Sequence, residues 1–237
     1  MVTSSPTAQA PQRRPRRRRR WTRRILIALA ALVVLLVASV VLYVKFAPVP
    51  APFTLPAATG APTGPLAGQW DVTTGSAAGF RIQQTVLFAS NDVVQRTDSV
   101  TGGLTITGDQ ATAARFTVDL TTLTTDGATT PQLATSLDTR HHPEAIITLA
   151  EPLALDSTIA SGEAITKTVG GQLSLRGQTH PVTVTLIARQ DGDALHTAGS
   201  MPVRFADWDI PSPTGYGPFG SLADHGTAEF RLVLHHR

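Results

Sequence analysis

The stretch FTVDL, residues 116–120, puts Phe116, Val118 and Leu120 on one side of an extended chain and Thr117 and Asp119 on the other. VTVTL (182–186) and FRLVL (230–234) repeat the alternation. In FRIQQTVLF the even positions give Phe80, Ile82, Gln84, Val86 and Phe88, an apolar face with one amide in it. Successive side chains of a strand point to opposite faces, so this period-two pattern requires half-buried antiparallel strands. Turn signals separate the runs at Thr101-Gly102-Gly103, Gly108-Asp109, Gly170-Gly171 and Asp191-Gly192, the last a strong two-residue hairpin signal. The pattern predicts about eight or nine strands over roughly 170 residues. One segment departs from it: TTPQLATSLDT, Thr129 to Thr139, spaces Leu133 and Leu137 four apart after Pro131. That spacing predicts a short helix covering one opening of a sheet. The fold class is therefore all-β and antiparallel, a sandwich or a closed barrel, and closure has the advantage of removing exposed edges.

A different organisation precedes the strands. Nine arginines lie before residue 25, and ILIALAALVVLLVASVVLYV, residues 25–44, carries no charge before Lys45. Twenty helical residues span about 30 Å, the thickness of a bilayer core. Residues 25–46 are expected to form a retained transmembrane helix, since a cleaved signal peptide has a shorter apolar region and a small-residue cleavage site. Residues 1–24 then form a disordered basic tail kept cytoplasmic by the positive-inside rule, and the C-terminal part lies outside the cell. The arginines are read as a topology signal that also attracts anionic lipid, in preference to a nucleic-acid site. Six prolines between residues 47 and 65 predict an extended linker, a stalk holding a domain of residues 66–237 off the membrane. Beyond residue 46 ten basic residues face all 17 acidic ones, a balance of −7 that disfavours nucleic acid as a partner of the domain. With no cysteine, the chain offers neither a disulfide framework nor a thiolate metal site.

Several segments resemble one family in order along the chain. They are GQWDVTTGSAAGFRI, SVTGGLTITGDQATAARFTVDLTTLTTD, LATSLDTRHHPEAIITL, GGQLSLRGQTHPVTVTLIA, PVRFADWDIPSP and DHGTAEFRLVL. Together they resemble the YceI-like, polyisoprenoid-binding family in a membrane-anchored actinobacterial form, over about residues 66–237. The resemblance implies a lipocalin-like antiparallel barrel of about eight strands, with a long apolar cavity for an isoprenoid or similar lipid. Two departures stand out: Arg176 replaces the family's usual His in its LTLHG hairpin, and Thr130-Pro131 replaces an Arg-Asp pair before the helix. In that hairpin Leu173 and Leu175 are expected to face inward and Arg176 to His180 to form the turn. Pro181 then opens the next strand, and His180 becomes a surface turn residue.

Chemistry is read as absent. GYGPFG, residues 215–220, matches a dinucleotide fingerprint in letters, but prolines 211, 213 and 218 forbid the helix it needs. The seven histidines lack metal-ligand spacing. Alternation would put Asp207 and Asp209 on one face, yet no base or nucleophile accompanies them. No catalytic residue, metal or cofactor is therefore expected, and the chain is read as a container. Transfer of a chain out of water is worth about 0.8 kcal/mol per methylene, so several five-carbon units bind without a charged partner if the barrel is unfilled. The expected wall comprises Phe80, Ile82, Gln84 and Phe88; Leu104, Ile106, Phe116 and Val118; Leu133, Leu137 and Ile147; Leu173, Leu175, Val184 and Leu186; and Phe205, Trp208 and Phe219. Gln84, with Arg176 near a rim, is the candidate for meeting a polar head. The expected ligand is an isoprenoid or quinone-like lipid. The rival reading is a non-catalytic, stress-related interaction or scaffold domain whose barrel is packed solid. Oligomeric state stays open, a homodimer included.

Overall fold

A computed structural model describes residues 16–125, 127–129, 131–211 and 220–237, without the side chains of 16–20, 132 and 133. Helix α1 (Arg16–Phe46) comes first. Five strands follow, β1 (Gly68–Val72), β2 (Ala77–Val86), β3 (Ala89–Thr97), β4 (Val100–Thr107) and β5 (Gln110–Asp119). The short strands β6 (Thr124–Thr125) and β7 (Ala128–Thr129) lead into helix α2 (Pro131–Leu137), where the Thr-Thr-Pro start had placed it. Strands β8 (Glu144–Leu149), β9 (Leu153–Ala154), β10 (Ile165–Leu175), β11 (Gln178–Asp191), β12 (Ala194–Arg204), β13 (Gly220–Leu222) and β14 (His225–His236) complete the chain.

Eight of these strands form a closed antiparallel ring in the order β1-β4-β5-β8-β10-β11-β12-β14, with β14 returning to β1. The two halves of β14 have different neighbours. Residues 234–236 pair with β1, whereas residues 227–231 pair with β2, so the β2–β3 hairpin extends the wall at one end of the barrel. At the other end the interior is closed. Trp70 and Leu234 are fully buried there with Ile106, Ile165, Leu195 and Ile159, the last from the 3-10 turn Ser157–Ser161. The Trp70 indole donates to the Leu66 carbonyl at 2.9 Å and packs on His236 with ring centroids 3.9 Å apart.

Local chemistry explains the hairpins and three corrections to the sequence reading. Arg176 and Gly177 have φ of 51° and 76°, the two left-handed residues of a tight hairpin turn, and Leu175 pairs directly with Gln178. The turn is thus two residues long, and His180 lies inside β11 opposite Leu173, its ring edge-on to Trp208 at 5.2 Å. Pro181 is tolerated within the strand because β12 pairs with β11 only from Thr185 onward, leaving that edge without a strand partner among the described residues. Gly102-Gly103 and Gly170-Gly171 are not turns. They lie inside β4 and β10, where neighbouring backbone crowds three of the four: a Cβ on Gly103 would meet the Trp70 carbonyl at 2.7 Å and one on Gly171 the Thr148 carbonyl at 3.2 Å, whereas one on Gly170 would only touch the Ala150 Cβ at 3.8 Å. Asp207 and Asp209 do not share a strand face, because Phe205–Trp208 is a 3-10 turn and Asp209 follows it in a left-handed conformation.

Two corrections concern the N-terminal third. The helix is already formed at Arg16, the first described residue, so residues 16–24 continue the apolar helix. The proline-rich segment is extended but lies along the barrel as a strap, not as a free stalk. Arg81 donates to the Pro50 carbonyl at 2.8 Å, Arg96 to that of Ala51, and Arg189 to that of Pro56 at 2.6 Å. The Arg96 guanidinium also covers the Phe53 ring at 4.1 Å. Proline-rich backbone has few N–H donors and many free carbonyls, and the domain's arginines take them up. Both Arg81 and Arg96 are held in turn by the almost fully buried Glu229, at 3.4 and 3.0 Å.

The firmest clasp is Asp191, whose carboxylate accepts from the Thr59 amide at 2.9 Å and the Gly60 amide at 2.7 Å. These bonds, the Thr59 amide foremost, hold its pKa below the ordinary 3.8. The native state therefore binds the carboxylate in preference to the acid, so the clasp is complete above that value and loosens only as pH falls through the lowered one. Asp191→Ala is expected to cost about 1–3 kcal/mol and to expose residues 47–65 to protease, which limited proteolysis at neutral pH would read.

An apolar cavity beneath the short helix

Above the closed end the interior is open. A cavity of about 700 Å³ runs between the strands from Ala78, Val100 and Leu232, which also belong to the closed core, to α2 and β13. That volume falls within the roughly 300–1,000 Å³ of small-molecule sites. At its outer end Thr135, exposed on α2, lines both cavity and surface, with Leu137, Ile210 and Leu222 beside it. The interior is therefore not packed solid, and the filled-barrel reading loses its premise.

Alternation delivers the wall. Phe116 and Val118 of β5 face Ile147 and Ala145 of β8 across the ladder, and Leu173 of β10 faces Ile147 from the other side. Phe80, Ile82, Gln84, Leu137, Leu175, Val184, Leu186 and Phe205 line the same space. The Phe80 and Phe205 rings pack at 5.8 Å. Gln84 is satisfied within the wall by donating to Asn91 at 2.7 Å.

Other expected wall residues lie elsewhere. Phe88 is 99% exposed with φ of 73°, because the β2–β3 turn falls at Leu87-Phe88 and ends the alternation there. Leu104 and Ile106 sit at the closed end, since β4 carries them past Trp70 of β1. Trp208 is buried under the 3-10 turn, its indole directed to the Leu173 carbonyl at 3.4 Å, and packs outside the cavity lining. Arg176 donates to the Asp209 carbonyl, and Asp209 also accepts from Gln178 at 2.6 Å, so both polar groups at that rim are engaged. Phe219, most of the glycine-rich loop and the Leu133 side chain lie outside the described residues. The alternating runs quoted from the sequence omitted Val93 and Gln95 of β3, which line the cavity. Their signal was pairing: Val93 faces Ile82 and Gln95 faces Phe80.

The histidine–aspartate pairs lie at the surface. His141 pairs with Asp138 at 2.7 Å and His225 with Asp224 at 2.7 Å, both exposed. Among the described residues no group of three or more metal-ligating side chains comes together.

The barrel is similar to known structures. One is a polyisoprenoid binding domain from Saccharophagus degradans implicated in plant cell wall breakdown, with a TM-score of 0.55 at 14% identity, covering 72% of this chain and 99% of that one. Another is BcnA of Burkholderia cenocepacia, with a TM-score of 0.54 at 19% identity, covering 69% and 99%. At such identities the likeness establishes the fold. A comparison with curated protein sequences gives no match. Residues 70–234 match the model of the YceI-like domain, and with its closed barrel and its cavity under α2 the chain belongs to that family.

Proposed function

We propose that this protein is a membrane-anchored, extracytoplasmic lipid carrier that holds an isoprenoid or quinone-like molecule in its barrel. The observation that carries the reading is the 700 Å³ apolar cavity. Binding proceeds by desolvation and shape, without covalent chemistry. It is supported by the similarity to a structure described as polyisoprenoid binding. Mass spectrometry of lipid extracted from the purified full-length chain tests it. A co-purifying isoprenoid-class lipid is expected; recovery of none, together with no uptake of offered isoprenoids, overturns it.

α1 is long and apolar enough to cross a membrane over Trp21–Phe46, and its arginine-rich start supports a cytoplasmic N-terminus. We read the barrel as standing mouth-first on that membrane. The strap contacts Arg81, then Arg96, then Asp191, and in sheet register these positions recede from the β2–β3 turn, through Gly79 opposite Arg96 to the far end of β14 at His235. The chain before Pro50 thus arrives from the turn, where α1 packs on β3 with Val44 buried. Pro50 lies four steps along the chain from Phe46, a reach of about 14 Å at most. The exposed Phe88 points from that same end, which is also the cavity's open one. A lipid then passes from bilayer to barrel without crossing water. The cysteine-free sequence permits single-site labelling. In phosphatidylglycerol–phosphatidylcholine vesicles, a fluorophore on Phe88→Cys is expected to shift to the blue and be quenched by spin-labelled lipid, and one on Gly192→Cys is not. Equal, water-like emission at both sites overturns the orientation.

A further inference from the structure

We infer that Gln95 is the polar anchor of the cavity, receiving the hydroxyl of a ligand that enters head-first. This rests on the lipid-carrier reading above and adds which end of the ligand lies deepest and what chemistry it carries. Gln95 is 5% exposed and lines the cavity opposite Phe80, well below the mouth. Among the described residues its Oε1 has no hydrogen-bond partner. The neighbouring inward polar groups of the hairpin do have partners. Gln84 bonds Asn91, and the hydroxyls of Thr97 and Thr122 lie 2.6 Å apart. Folded proteins seldom leave a buried amide unsatisfied, and such an exception calls for a ligand or a functional reason.

The chemistry of the gap narrows the ligand. The vacant atom is an acceptor, so a hydrocarbon contributes nothing to it and a carbonyl has no proton to offer. A hydroxyl both donates and accepts, and so satisfies either orientation of the amide. A phosphate head is disfavoured at this depth, because burying an ionised group without a paired cation is costly, and the two arginines of this hairpin are committed to Glu229 and the strap on the outer face. The geometry points to a neutral, hydroxyl-terminated isoprenoid.

Gln95→Met keeps the side chain's length and removes its polar atoms; Gln95→Leu, one atom shorter, is the second variant. The probes are farnesol and farnesene, which lacks the hydroxyl, titrated into the full-length protein in detergent. The wild type is expected to prefer farnesol by roughly tenfold, the loss of about one good hydrogen bond. In the variants that preference vanishes while farnesene binds no more weakly. The ligand-free variants are also expected to melt at a higher temperature than the wild type, since an unpaired amide has left an apolar wall. A residue that is merely structural predicts the opposite shift. A preference for farnesol that survives in both variants, or a lower melting temperature in both, overturns the anchor. If both probes bind equally to wild type and variants, the anchor alone falls; if neither probe binds the wild type, the lipid-carrier reading falls and the anchor with it.

Discussion

Trp70→Ala is expected to destabilise the barrel by about 3–5 kcal/mol, the usual range for removing a large aromatic side chain from a core. Trp70 has no exposed surface, fills the closed end among Leu234, Ile106 and Ile159, and donates to the Leu66 carbonyl. Truncation leaves a void that the surrounding strands cannot close, because β1 is paired on both sides, to β4 and to β14. It also leaves the Leu66 carbonyl without its donor. For a domain of this size the loss corresponds to a drop in Tm of roughly 6–20 °C. Chemical denaturation with a coincident thermal melt would measure it, and a change under about 1 kcal/mol would mean that this end is not the structural core.

Leu186→Trp is expected to do the reverse, costing little stability while reducing lipid uptake by at least tenfold. In a filled core such an enlargement costs about 1–3 kcal/mol through overpacking. Leu186 instead borders both the closed core and the cavity, so the added indole has free volume to enter. The same volume is what a ligand needs, so occupancy by one excludes the other. Isoprenoid binding to the purified variant, beside its unfolding curve, separates the outcomes. Full overpacking cost with undiminished binding would place the ligand outside the barrel. The contrast with Trp70→Ala divides the molecule into an end that supplies stability and an end that forgoes packing to stay open.

Much of this division was legible in the residues. FTVDL and VTVTL set Phe116, Val118, Val184 and Leu186 on one face, and all four border the cavity. Pro131 and the leucine spacing marked α2. Phe88 was misread because alternation continues in the letters through a turn, and only positive φ at Leu87 and Phe88 shows where the strand stops. Gly102-Gly103 and Gly170-Gly171 were misread for the converse reason: a glycine pair signals a turn or a close backbone approach with the same letters. Gln95 went unnoticed since its meaning lies across the ladder, in Phe80, and not along its own strand.

A spanning-length apolar helix, a proline-rich connector and an antiparallel all-β domain can be read off the residues, because each follows from the spacing of neighbours along one chain. Which inward residues are packed and which line empty space depends on how distant strands assemble. Leu104 and Phe116 look alike as letters. What separates them is height within the barrel, set by β4 running past Trp70 and by β5 pairing with β8 beneath the helix. The strap depends on that assembly too: its carbonyls find Arg81, Arg96 and Arg189 only after β2, β3 and β11 have been brought side by side with β12 and β14 between them. Side-chain period is a local property, whereas a void arises from how distant strands fail to fill the space they enclose.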